Sequence, residues 1–152
     1  MTLNIPKLRQ LGIRIVGDEK FRGACPKEDA ELVTLIGEWK RDPYLQRVPV
    51  IHIPNEKKRR DRKDFAELKE QKMKGAFVPG ASDIIAIGYP TLVIELKRQD
   101  PTQSATTQDQ IDFMLASQAA GAWVFVALGY AAALRIARAW YKINLSKGLH
   151  IP

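Results

Sequence analysis

Three side chains near the middle of the chain have the types and spacing for phosphate chemistry: Asp83, Glu95 and Lys97. Asp83 stands at the entrance of one apolar run, Ile84-Ile85-Ala86-Ile87. Glu95 and Lys97 stand at the exit of a second, Thr91-Leu92-Val93-Ile94, and Gly88-Tyr89-Pro90 lies between the two. Short β-branched and aliphatic runs broken by Gly and Pro read as a hairpin or two adjacent strands. Residues two apart on a strand share a face, so Glu95 and Lys97 point together while Leu96 points away into apolar packing. Antiparallel pairing about Gly88 brings Asp83 back beside Glu95. Two carboxylates and a backbone carbonyl then offer hard oxygen ligands of the kind Mg²⁺ accepts alongside water and phosphate oxygens. A lysine beside them can orient or deprotonate the attacking water, or neutralise charge on a scissile phosphate. An isolated Glu-x-Lys is most often a strand-end salt bridge. Here it follows a strongly apolar run, with an Asp 12 residues upstream after Pro79-Gly80, and metal-dependent phosphodiester chemistry is the better reading.

Pro79-Gly80-Ala81-Ser82-Asp83 followed by Ile94-Glu95-Leu96-Lys97 resembles the PD-(D/E)xK nuclease signature, and more closely its VRR-NUC branch of small nuclease domains. Ser82-Asp83 stands where that branch usually has Pro-Asp. Thr107-Gln108-Asp109-Gln110 matches the Ser/Thr-x-x-Gln that opens its next helix. The resemblance spans roughly Lys27 to Trp140. It implies a restriction-endonuclease-like α/β core, with a central mixed sheet of about four strands flanked by helices. It also implies a Mg²⁺ cofactor, with Mn²⁺ as the alternative, held by Asp83, Glu95 and the Leu96 carbonyl. Glu28 or Asp29 would reach the ion directly or through water, and Glu31 is a weaker candidate. Gln110 would position the lysine, a water or a phosphate. The implied reaction is in-line attack of water on phosphorus, helped by Lys97, that leaves a 5′-phosphate. Stand-alone relatives act on branched DNA, four-way junctions above all, as homodimers. The resemblance therefore implies a C₂ dimer with two related sites, and it makes a phage origin with a host-cytoplasmic location the natural setting.

The elements that must position these residues can be read in chain order. Residues 1–26 are punctuated by Pro6, Gly12, Gly17, Gly23 and Pro26 and read as an N-terminal arm, with Ile13–Val16 a short strand, that packs on a partner subunit or remains a tail. Residues 27–145 form the nuclease-like domain, and 146–152 a C-terminal tail. Within the domain, Lys27–Lys40 is a helix: Pro26 suits its start, Glu28, Asp29 and Glu31 crowd its first turn, and Leu32, Leu35, Ile36 and Trp39 form an apolar stripe. Val48–Ile53 is a strand ended by Pro54-Asn55, and the resemblance places Asn55 at the active-site edge. His52, alone in that apolar run, is more often a packed or edge residue than a catalyst. Thr107 is suited to cap a helix carrying Gln110 in its first turn. Residues 123–127 are a buried strand, and 130–144 a final helix.

Lys57, Lys58, Arg59, Arg60, Arg62 and Lys63 fill six positions of a seven-residue stretch. A run this dense beside the candidate strand suits phosphate contact. No aromatic residue interleaves it, so it offers no stacking platform for single strands, and duplex or branched DNA fits better. Arg98, in the polar loop after Lys97, is a further candidate contact.

Composition is ordinary for one globular domain of 152 residues: 45% hydrophobic and 27% charged. The net charge of +7 favours a polyanionic partner, nucleic acid first. Cys25 is the single cysteine, which excludes an internal disulfide or a cysteine zinc cluster and suits a reducing compartment. The start of the chain lacks a continuous apolar segment of the secretory kind. Phe113–Leu134 carries no charge, yet Ser117, Gln118, Gly121 and Gly129 break it into helix, strand and helix, so no membrane association is expected. Two other classes remain compatible with these residues. One is a flap or restriction-type endonuclease with the same site, and the other is a non-catalytic nucleic-acid-binding module, which the intact Glu95–Lys97 pair disfavours.

Overall fold

The computed structural model describes residues 2–53 and 78–145. In chain order the described elements are helix α1 (Ile5–Gln10), strand β1 (Arg14–Val16), helix α2 (Glu28–Arg41), strands β2 (Val50–His52), β3 (Ile84–Ala86) and β4 (Leu92–Lys97), helix α3 (Gln108–Ala119), strand β5 (Trp123–Leu128) and helix α4 (Tyr130–Asn144). The strands form one mixed sheet in the order β1-β5-β4-β3-β2. β4, β5 and β1 run parallel, and β3 and β2 are antiparallel additions on the other side of β4. This is the expected α/β architecture, a central mixed sheet flanked by helices, with one strand more than expected.

The additional strand comes from the segment read as an arm. Arg14–Val16 pairs with Phe125–Ala127, and Leu3, Leu8 and Ile13 are buried with Ile111, Met114 and Val124 of the same chain. The segment expected to pack on a partner subunit or remain a tail packs here on α3 and β5 of its own chain. The punctuation hid this because a parallel partner more than a hundred residues away leaves no local mark.

β4 lies at the centre, and all six of its residues are buried. Its alternation divides the core into two layers. Leu92, Ile94 and Leu96 pack with α2 and α4, where Leu35, Trp39, Ala133, Ile136 and Trp140 meet them. Val93 faces the opposite layer with α1 and α3. Glu95 and Lys97 continue the Val93 row, so period two aims both at α3. α4 covers its sheet face with Ala132, Ala133 and Ala137, whose small side chains permit close helix–sheet approach. Among the described residues, no helix is long and apolar enough to cross a membrane.

Candidate active site

The β3–β4 register pairs Ile84 with Ile94, which sets Asp83 opposite Glu95 just beyond the end of β3. The Leu96 amide donates to Asp83 Oδ2 at 2.8 Å. The amide and carbonyl of one strand residue point to the same side, so the Leu96 carbonyl also faces Asp83, where β3 no longer supplies a ladder partner. From the opposite edge of β3, at the same end of the sheet, the Ile53 amide donates to the Asp83 carbonyl at 3.0 Å, so β2 ends at the site as well.

α3 delivers the fourth residue. Thr107 is its N-cap, and its hydroxyl accepts from the Gln110 amide at 3.2 Å. Gln110 Oε1 returns to accept from the Thr107 amide at 2.9 Å, closing a capping box. The same carboxamide continues into the site: Nε2 donates to Glu95 Oε1 at 3.0 Å, and Oε1 accepts from Lys97 Nζ at 3.3 Å. Lys97 Nζ lies 3.4 Å from Glu95 Oε1. One side chain thus caps the helix and clamps the acid–base pair. Gly80 permits the approach. Its φ is +70°, and a Cβ there would collide with the carbonyl carbon of Asp109 and the Gln110 amide nitrogen. The Pro79-Gly80 turn that leads to Asp83 is therefore packed directly on the first turn of α3.

The electrostatics are those of crowded, dehydrated acids. Burial pushes the Asp83 carboxyl up to about 6; the Leu96 hydrogen bond and the Lys97 charge oppose the rise, and the Glu28 charge adds to it. Burial and then the Asp83 charge drive Glu95 well above the usual carboxylate range, with Lys97 pulling the other way. Glu95 and Lys97 are each 1% exposed. Removing such ions from water costs several kcal/mol apiece, and core packing alone gives no reason for it.

These residues fit a divalent cation. Among the described residues, buried Glu95 Oε2 accepts no hydrogen bond and lies beside the Asp83 carboxyl, and Asp83 uses Oδ2 on the Leu96 amide. The Leu96 carbonyl faces the same space. Among the described residues, no three acidic, His or Cys side chains form a ready metal cage. Mg²⁺ needs only one or two carboxylates and keeps several waters, and that donor set is the one available here.

The acids of α2 separate clearly. Glu28, half-buried, contributes its charge to both Asp83 and Glu95, and its Oε1 accepts from Ser104 Oγ at 3.0 Å. Asp29 is exposed on the helix surface. Glu31 is 1% exposed and committed elsewhere: Oε2 accepts from the Tyr130 amide at 2.6 Å and Oε1 from Gln99 Nε2 at 3.0 Å. It caps the start of α4 from a distance.

Arg98, expected to reach DNA, turns its guanidinium inward to donate from Nη2 to the Cys25 carbonyl at 2.8 Å. His52 is exposed on β2. Asn55, Lys57, Lys58, Arg59, Arg60, Arg62 and Lys63 lie outside the described residues. Sequence reasoning missed Ser104, Gly80 and the role of Glu31. The Pro79-Gly80 pair was a visible turn signal, but nothing local marks what α3 places against it.

The fold is similar to that of a solved "VRR_NUC domain protein", with a TM-score of 0.61 at 18% sequence identity, covering 80% of this chain and 93% of that one. No protein-family model and no curated protein sequence matches the chain.

Proposed function

We propose that the chain is a metal-dependent DNA endonuclease of the VRR-NUC kind, acting on four-way junctions or other branched DNA. The observation that carries this reading is the quartet of buried Glu95 and Lys97 with half-buried Asp83 and Gln110, in which Glu95 Oε2 accepts no hydrogen bond among the described residues. A stable core gains nothing from such an arrangement, whereas a cation supplies the missing partner and offsets the crowding of the two acids.

In this reading Asp83, Glu95 and the Leu96 carbonyl hold Mg²⁺ (or Mn²⁺), and Glu28 reaches it directly or through water, with Asp29 the alternative on the same turn. When bound, the ion polarises the scissile phosphate and lowers the pKa of ligated water. The protein's own residues do the rest. Lys97, held between Glu95 and Gln110, presents its ammonium to the attacking water or to the charge growing on phosphorus. Gln110 fixes that lysine through the capping box, so α3 and β4 share one geometry. In-line attack of water leaves a 5′-phosphate.

The proposed DNA track follows β2 in the sequence. The Ile53 amide bonds the Asp83 carbonyl, and the basic run begins at position 57 of the sequence. The basic run from Lys57 to Lys63, with Asn55 before it, would engage the backbone of the duplex. Backbone contact without a recognition domain favours shape over sequence. A homodimer would supply two symmetric cuts in a junction, and a phage setting in the host cytoplasm belongs to the same proposal.

The test is cleavage with Mg²⁺ of a four-way junction, a flap, a linear duplex and a single strand. Paired symmetric nicks in the junction support the full reading. Preference for flaps or linear DNA keeps the nuclease and removes the junction role. Binding without cutting in either metal contradicts the catalytic reading.

A further inference from the structure

Ser104 is a polar residue buried at 4% exposure in the loop between β4 and α3. Its hydroxyl accepts from the Arg98 amide at 3.0 Å and donates to Glu28 Oε1 at 3.0 Å. A serine hydroxyl has one proton to give. The Arg98 amide can only donate, so the Ser104 proton is left for Glu28 and the direction of the chain is settled. Arg98 directly follows Lys97, so this hydroxyl spans from the end of the strand carrying Glu95 and Lys97 to the first residue of α2. Glu28 needs such a tether: the N-cap of α2, Lys27, makes no side-chain cap hydrogen bond.

The loop holding Ser104 is itself braced. Asp100 accepts from the Thr102 amide at 2.9 Å, from Thr102 Oγ1 at 2.7 Å and from the Gly23 amide at 3.0 Å. Gln103 Nε2 donates to the Gly23 carbonyl at 2.8 Å. Both the serine and the segment leading into Glu28 are therefore tied to one turn.

We propose that Ser104 is a positioning residue for Glu28, aiming the remaining oxygen of that carboxyl at the space shared by Asp83 and Glu95. Glu28 makes no other hydrogen bond among the described residues, so Oε2 is the atom left for the cation or its water. The inference rests on the metal-site reading above and adds to it the residue that selects Glu28 rather than Asp29 or Glu31.

Calorimetric titration of Mg²⁺ into the full chain without DNA tests it, using Ser104→Ala, Glu28→Ala, the double variant and Glu95→Ala. The expected result is a loss of affinity of roughly tenfold in Ser104→Ala, as for other residues that orient a metal ligand, and no further loss when Ser104→Ala is added to Glu28→Ala. Ser104→Cys, a weak donor of similar size, should fall between; it replaces Ser104→Ala in the cycle if that variant does not fold. Wild-type affinity in Ser104→Ala, or the same loss with and without Glu28, overturns the proposal. Wild-type affinity in Glu95→Ala would instead overturn the metal site itself.

Discussion

The Leu96 amide and the Asp83 carboxyl meet at 2.8 Å across the open end of the β3–β4 pair. That bond locks the turn to the strand and leaves the acid in a dehydrated place beside Glu95. Asn at position 83 keeps an oxygen for the Leu96 amide and removes the charge. Asp83→Asn should therefore raise the metal-free unfolding midpoint at pH 7.5 while abolishing cleavage. A lowered midpoint measured by thermal or urea unfolding would contradict the claim that this acid is held at a cost.

The same carboxyl sets a pH dependence. Its folded value is about 6 against 3.8 for an ordinary Asp, so between about pH 4 and 6 the folded chain holds a proton that the unfolded chain has released. Stability of the metal-free protein should then be highest below that window and fall as pH rises through it, with Glu95 extending the fall upward. A shift of this size corresponds to on the order of 2–3 kcal/mol. Mg²⁺ should restore the loss near neutrality, which urea midpoints with and without the ion will read.

Gly80 is where the backbone leaves no room for a side chain. Alanine there must adopt φ near +70° and displace the first turn of α3. Gly80→Ala should cost about 2 kcal/mol or more, and it should reduce cleavage further than the stability loss explains, because Gln110 moves with the helix. Unfolding midpoints and cleavage rates measured below the midpoint separate the two effects.

Glu31 and Glu28 lie one turn apart on α2 and should behave oppositely. Glu31→Ala strips the Tyr130 amide and Gln99 of their acceptor and should destabilise the fold by about 1–3 kcal/mol, with Mg²⁺ affinity unchanged. Glu28→Ala should weaken Mg²⁺ binding with little change in midpoint. A reversed pattern would exchange their roles.

The contrast shows what the sequence could reveal. The hairpin that brings Asp83 to Glu95, the shared face of Glu95 and Lys97, and the Thr107 cap that presents Gln110 are local relationships. Period two, a turn signal and a capping spacing encode them. Glu28 and Glu31 look alike in sequence because what separates them is remote: Ser104 stands before one and the start of α4 before the other. The strand from Arg14 was readable, but its partner was not, since parallel pairing with Phe125 depends on the whole fold. Arg98 looked like a surface cation because the Cys25 carbonyl that receives it is 73 residues away.

In the proposed function, the buried Glu95 centre hydrolyses DNA with a divalent cation. The most direct measurement is single-turnover cleavage of a labelled four-way junction with Mg²⁺ or EDTA, comparing wild type with Glu95→Gln and Lys97→Met. Mg²⁺-dependent cutting by wild type is expected, with loss of at least about 100-fold in each variant and with both variants folded and still binding the junction. Cutting that persists in EDTA, or that survives in Glu95→Gln, would contradict it.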